Sequence, residues 1–125
     1  MFNIMVIDDS KVILEITEKI LSNEVNTPLN IRTFDCAVDA KNKFALFQPD
    51  LVITDIEMPN FNGYEFIKEI SEVPILAVSG SSLNDTDTIL HVADLIGADF
   101  TLAKNDIHNE LSSLVMSILS IDKGM

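Results

Sequence analysis

The stretch "MVIDDSK", Met5 to Lys11, closes an apolar run on two adjacent aspartates, Asp8 and Asp9. Other apolar runs also end on polar groups: "LVIT" is followed by Asp55, "PILAVS" closes on Ser79, and "DFTLA" runs into Lys104. Carboxylates, a hydroxyl and an ammonium are the groups that bind a cation and neutralise an anionic substrate. If the acids gather, each pair costs roughly 4 kcal/mol at about 4 Å and an effective dielectric of about 20. Lys104 offsets one negative charge, and the remaining excess calls for a divalent cation. Oxygen-only ligands with room for water favour magnesium, with manganese as the alternative, over zinc.

These groups can meet only if the elements that carry them place their ends together. "FNIMVI" (Phe2 to Ile7), "LVIT" (Leu51 to Thr54) and "PILAVS" (Pro74 to Ser79) are short, continuous and rich in branched residues, as central parallel strands covered on both faces are. "LNIRTF" (Leu29 to Phe34) and "DFTLA" (Asp99 to Ala103) are more mixed and suit sheet edges. Between the strands lie segments with helical spacing. The clearest is the last, where Ile107, Leu111, Leu114, Val115, Ile118 and Leu119 form one apolar stripe. Asn105 or Asp106 is expected to cap its start, Asp35 that of "CAVDAKNKFALF", and Asn84 or Asp85 that of "TDTILHVADLI". Strict alternation with short connections predicts an α/β fold, a doubly wound parallel sheet with helices on both faces. Ligands of such sheets bind beyond the carboxyl ends of the strands, at the switch in strand order. Asp8, Asp9, Asp55, Ser79 and Lys104 are therefore expected in one crevice. A single aspartate at a strand end is more often a cap or turn former; the joint placement of these residues is what points to a site.

A chain of 125 residues fits one domain spanning 1–125, large enough to bury its own core. With 47% apolar residues it has the composition of an ordered globule. Cys36 is the one cysteine, which excludes a disulfide framework or a cysteine-based zinc site and fits a reducing cytoplasm. The N-terminal run lacks a basic n-region and is too short for a signal sequence or a membrane span, so a cytoplasmic location is expected. A formal net charge of −12 repels nucleic acid and anionic lipid, leaving cations and basic protein faces as partners.

Taken together, "VIDDS" with Asp8 and Asp9, "LVITDIEMPNFNG" with Asp55, Met58, Pro59 and Gly63, "ILAVSG" with Ser79 and Gly80, and "GADFTLAK" ending in Lys104 resemble a response-regulator receiver domain of two-component signalling in its single-domain form. The resemblance covers the whole chain. It implies a flavodoxin-like sheet of five strands in the order 2-1-3-4-5. It also implies that Asp55 accepts a phosphoryl group from a sensor histidine kinase or a histidine phosphotransfer protein. Asp9 and Asp55 would hold magnesium together with the backbone carbonyl of Glu57, and Asp8 would act through a bound water. Ser79 and Lys104 would hold the phosphoryl oxygens. A carboxylate can attack phosphorus to give an acyl phosphate. It is a weak nucleophile, so positioning and charge neutralisation must do the catalysis. The protein would be no enzyme beyond its own phosphorylation and slow dephosphorylation. His91 and His108, in predicted helices, read as surface or packing residues.

The resemblance is incomplete in places. The family's switch aromatic stands three residues before the lysine; here that position is Thr101, and Phe100 comes one residue earlier. A one-residue offset turns a strand side chain to the other face, so Phe100 is expected in the core and the usual aromatic switch is expected to be absent. Asn105 follows Lys104 where the family has proline, and a cis bond before Asn costs about 2.5 to 4 kcal/mol. The trimmed spacing between Asp55 and Ser79 predicts a shortened third helix or exit loop, and "SGSSLNDTDT" an extended loop. In the fourth helix Ile89, Val92, Ala93 and Ile96 suffice to face the sheet, which leaves Leu90 and Leu95 as a docking patch or as packing under loops. Ser10, Lys11 and Leu14 lie beside the acids, where a donor would dock, and Glu57 and Ser81 would tune the acyl phosphate's lifetime.

Because "SIDKGM" follows soon after the last helix, no effector domain is expected. Output would pass by noncovalent contact, either to a target protein through the face of the fourth helix, fifth strand and last helix or onward to another histidine domain in a phosphorelay. No nucleic acid or membrane partner is expected, and homodimer formation through the fourth and last helices is open. Two alternatives stand beside this reading. One is a pseudo-receiver that binds partners without phosphorylation; the other is a magnesium-dependent phosphohydrolase with Glu57 as general acid.

Overall fold

The computed structural model describes residues 1–56, 66, 69–70, 72–80 and 97–122. Its elements are β1 (Phe2–Ile7), α1 (Lys11–Glu24), β2 (Leu29–Phe34), α2 (Ala37–Phe47), β3 (Leu51–Asp55), β4 (Ile75–Ser79), β5 (Phe100–Ala103), a 3-10 turn (Lys104–Asp106) and α3 (Ile107–Asp122), the last of the helices expected from the sequence. The strands form one parallel sheet in the order β2-β1-β3-β4-β5, as expected. The most continuous apolar runs, β1, β3 and β4, take the three central places, and the mixed runs β2 and β5 take the edges. The expected third and fourth helices, the loop after Gly80, His91, Leu90, Leu95, Glu57 and Ser81 lie wholly or mainly outside the described residues.

Strand alternation sorts the apolar side chains into two cores. Ile4, Val6, Leu51, Ile53, Leu76, Val78 and Leu102 face α1 and α3, joining Leu14, Leu21, Leu111, Val115 and Ile118. Met5, Ile7, Val52, Ile75 and Ala77 face the opposite side with Ala37 and Ala40 of α2, Phe66 and Ile70. Phe100 packs against the first core, as its offset from the switch position requires, and alternation turns Thr101 to the second face beside its β4 partner Ala77.

Two helix starts differ from expectation. The Ncap of α2 is Cys36, not Asp35, and its side chain makes no capping bond. The start of α3 is not capped by an Asn105 or Asp106 side chain. Both residues belong to the 3-10 turn, and the Ile107 N–H donates to the Lys104 carbonyl. The Lys104–Asn105 bond is trans. Ser10 caps α1 as its type favours, its Oγ accepting from the Ile13 N–H at 3.3 Å.

The opposite rim is tied by Asn3. Its side-chain amide donates to the carbonyls of Phe47 (2.9 Å) and Gln48 (3.3 Å), and its own N–H donates to Asp50 Oδ2 at 2.7 Å. These bonds hold the C-terminal end of α2, where Gln48 turns into the left-handed region at φ 52°, against β1.

Candidate functional site

Asp8 follows β1, Asp55 ends β3, Ser79 ends β4 and Lys104 follows β5, all at the carboxyl edge of the sheet. Parallel pairing aligns these ends: Ile7 lies opposite Thr54, Asp55 opposite Val78, and Ser79 opposite Ala103. One oxygen from each of Asp8, Asp9 and Asp55 comes within 4.8 Å of the others. Asp8 and Asp55 are each only 3% exposed and Ser79 1%, whereas Asp9 opens to solvent. The structure thus brings together Asp8, Asp9, Asp55 and Lys104 and buries Ser79 on the same edge. Glu57 lies outside the described residues, and His108 is exposed on α3.

Buried carboxylates are costly unless paired. Here the pairing is with Lys104, whose Nζ lies 2.8 Å from Asp8 Oδ2 and 3.2 Å from Asp55 Oδ2, with 18% of its side chain exposed. Burial by itself would lower the ammonium's pKa. The hydrogen bond to Asp8, the charges of Asp55 and Asp8 and the bond to Asp55 outweigh it and raise the group above its ordinary 10.5. Three carboxylates against one ammonium leave a formal charge of −2 on the cluster. An all-oxygen set of that charge, open to water through Asp9, fits one hard divalent cation of the magnesium type.

Local bonds orient Asp8 and fix the backbone that carries Asp55. The Ser10 N–H donates to Asp8 Oδ1 at 2.9 Å, so the turn that starts α1 also orients Asp8. The Thr54 hydroxyl, fully buried, donates to the Asp55 carbonyl at 3.0 Å. Behind the acids the wall is closed. The space lined by Asp8, Thr17, Asp55, Ile107 and their apolar neighbours is about 10 Å³, room for one water at most. The carboxylates are therefore reached from the solvent side, where Asp9 is exposed. A separate open cleft of about 340 Å³ lies between Lys11, Leu14 and Glu15 of α1 and Phe34, Asp35 and Asp39.

Sequence reading missed two contributors. The role of Ser10 in orienting Asp8 is carried by its backbone N–H and leaves no mark in residue type. Gly80 does leave a mark: it is a glycine directly after the site serine, and the Lys104 stem runs where its side chain would be.

Residues 4–115 match the family model for the response regulator receiver domain, and the chain belongs to that family. Receiver domains bind Mg²⁺ at an acidic pocket and interact with histidine kinases or phosphotransfer proteins and with downstream targets. Among curated relatives, the sensory transduction protein BceR of Halalkalibacterium halodurans is 29% identical over 122 residues, covering 95% of this chain and 50% of that protein. Stress response regulator protein 1 of Scheffersomyces stipitis is 28% identical over 86% of this chain and 38% of its own. A protein-glutamate methylesterase/protein-glutamine glutaminase of Xanthomonas oryzae is 27% identical over 94% of this chain and 34% of its own. The chain thus spans about a third to a half of these relatives. The fold is shared with a response regulator receiver domain protein from Clostridium thermocellum (TM-score 0.83, 24% identity, 98% of each chain). It is also shared with the signal receiver domain of a DNA-binding response regulator from Colwellia psychrerythraea (TM-score 0.84, 19% identity, 96% and 99%). No described helix is long and apolar enough to cross a membrane.

Proposed function

We propose that this receiver domain is a magnesium-dependent phospho-accepting switch with Asp55 as acceptor. The reading is carried by one observation: a buried aspartate at the end of a central strand, in contact with a lysine ammonium and within 4.8 Å of two further carboxylates. In the transfer an Asp55 oxygen attacks phosphorus, the P–N bond of the donor phosphohistidine breaks, and the imidazole leaves with the bonding pair and takes up a proton. Lys104 and the Ser79 hydroxyl neutralise and orient the phosphoryl oxygens. Asp9, Asp55 and the Glu57 carbonyl would hold the magnesium directly, and Asp8 through a water. The ion, when bound, supplies charge neutralisation of the phosphoryl oxygens.

The donor would be a histidine kinase or a phosphotransfer protein approaching over Lys11 and Leu14, which follow the acids in sequence and line the open cleft between α1 and the end of β2. Output would run through β5 and α3 and through the expected fourth helix to a target protein. Thr101 supplies no aromatic ring to report the phosphorylated state, so the hydroxyl of Ser79 and the segment after Gly80 would carry the change.

Intact-mass spectrometry after incubation with Mg²⁺ and acetyl phosphate tests the assignment. A single phosphoryl adduct is expected that disappears in Asp55→Asn and in chelator. No adduct under any condition, or one that persists in Asp55→Asn, would remove Asp55 from the acceptor role.

A further inference from the structure

Gly80 is not required by its backbone, since among the described residues Gly97 is the glycine with a positive φ. Its reason is space. A Cβ at position 80 would stand 2.6 Å from Lys104 Cδ, 3.3 Å from Cε and 3.5 Å from Cγ, so the lysine stem fills the volume that a side chain would take. The path matters because β5 lies three strands from β1, roughly 14 Å at the usual strand spacing. Lys104 nevertheless brings its ammonium to 2.8 Å from Asp8 as well as 3.2 Å from Asp55. On the way its stem crosses the end of β4 directly over Gly80.

We infer that Gly80 is a positioning residue that lets Lys104 occupy Asp8 and Asp55 as an internal counter-ion, and that this ammonium competes with the divalent cation and sets the site's cation affinity. The inference rests on the reading of Asp8, Asp9 and Asp55 as the cation site. An ammonium and a metal ion that draw on the same Asp8 and Asp55 oxygens weaken each other's hold reciprocally. A methyl group at position 80 displaces the flexible stem by rotation and shortens its reach. Asp8, on the farther strand, is released first. The cation then meets a more negative cluster and binds more tightly. A glycine that merely kept the loop well packed would have no such effect.

The test is Mn²⁺ binding to the full chain, followed by electron paramagnetic resonance without any phosphodonor, in wild type, Gly80→Ala, Lys104→Met and the double variant. Lys104→Met is expected to bind roughly 5-fold or more tightly than wild type, the low end of usual coupling between ligands of one protein. Gly80→Ala should tighten binding by a smaller factor, and that gain should vanish in the Lys104→Met background, where no ammonium remains to displace. Equal affinity of Gly80→Ala and wild type overturns the inference, as does a Gly80→Ala effect that survives in the double variant. Absence of Mn²⁺ binding in every form overturns the cation site itself. Loss of the Asp55 adduct with binding intact would instead strike only the acceptor reading.

Discussion

Lys104 is the residue on which the site's electrostatics turn, because it is the described cation that touches two buried carboxylates at once. Replacing it with methionine keeps the stem and removes the ammonium that pairs with Asp8 and Asp55. Removing one partner of a fully buried pair costs roughly 3 to 5 kcal/mol. Lys104 keeps some contact with water, so a loss of about 2 kcal/mol is expected for Lys104→Met in chelator at neutral pH. Urea denaturation measures it, and equal stability of the two forms would show that the pair adds nothing. The sign of the pH dependence follows from the raised ammonium pKa. The folded-state pKa lies above the unfolded value near 10.5, so the contribution is full below about pH 10.5 and is lost as pH rises through the raised value. Wild type in chelator should therefore lose stability in that alkaline range, and Lys104→Met should lack that part of the decline. Between pH 6 and 9 Lys104 stays charged, so its contribution to stability should not vary in that range.

Among the elements, α2 depends most visibly on a residue distant in the chain. Asn3 donates two side-chain hydrogen bonds to the carbonyls that end α2, and α2 buries little of its own surface beyond Ala37 and Ala40. Asn3→Ala is expected to cost about 1 kcal/mol, the usual net value of such bonds, and to lower the thermal midpoint by roughly 3 to 6 °C. Calorimetry checks this, and an unchanged midpoint would mean that solvent caps α2 equally well. Asn3 also marks the limit of what the sequence reveals. Continuous apolar runs gave β1, β3 and β4 their places in the sheet centre, and the residues that end them were legible as a site because parallel strands must bring like ends together. Asn3 read as one polar residue in such a run, because its partners, Phe47 and Gln48, are joined to it only by folding. The caps failed for a related reason. Asp35 and Asn105 have the residue types of N-caps, but strand register fixes where the chain leaves β2 and β5, and helical geometry begins at Ala37 after Cys36 and, through a 3-10 turn, at Ile107. Gly80 needed the path of Lys104, 24 residues later, before its absent side chain had a meaning.

At the scale of the whole molecule, a formal charge of −12 sets two cation effects against each other that differ in kind. Dispersed acids repel through solvent, and monovalent salt screens them: the Debye length falls from about 30 Å at 0.01 M to about 8 Å at 0.15 M. The thermal midpoint in chelator should rise over that range, since folding concentrates like charge. The carboxylate cluster responds differently, because its groups lie within 4.8 Å of one another and two of them are buried where salt screens poorly. A divalent cation held there stabilises by mass action, growing with the logarithm of its concentration above its Kd. At a fixed 0.15 M salt, millimolar Mg²⁺ adds little ionic strength, and it should still raise the wild-type midpoint. Asp9→Asn removes the most open of the three carboxylates and should abolish most of that second rise while leaving the first unchanged. If Asp9→Asn responds to Mg²⁺ as wild type does, the ion acts on the charge of the whole surface and the cluster is no binding site. If the salt response vanishes in wild type, the dispersed acids are far enough apart for water alone to screen them, and the stability of the fold rests on its two cores.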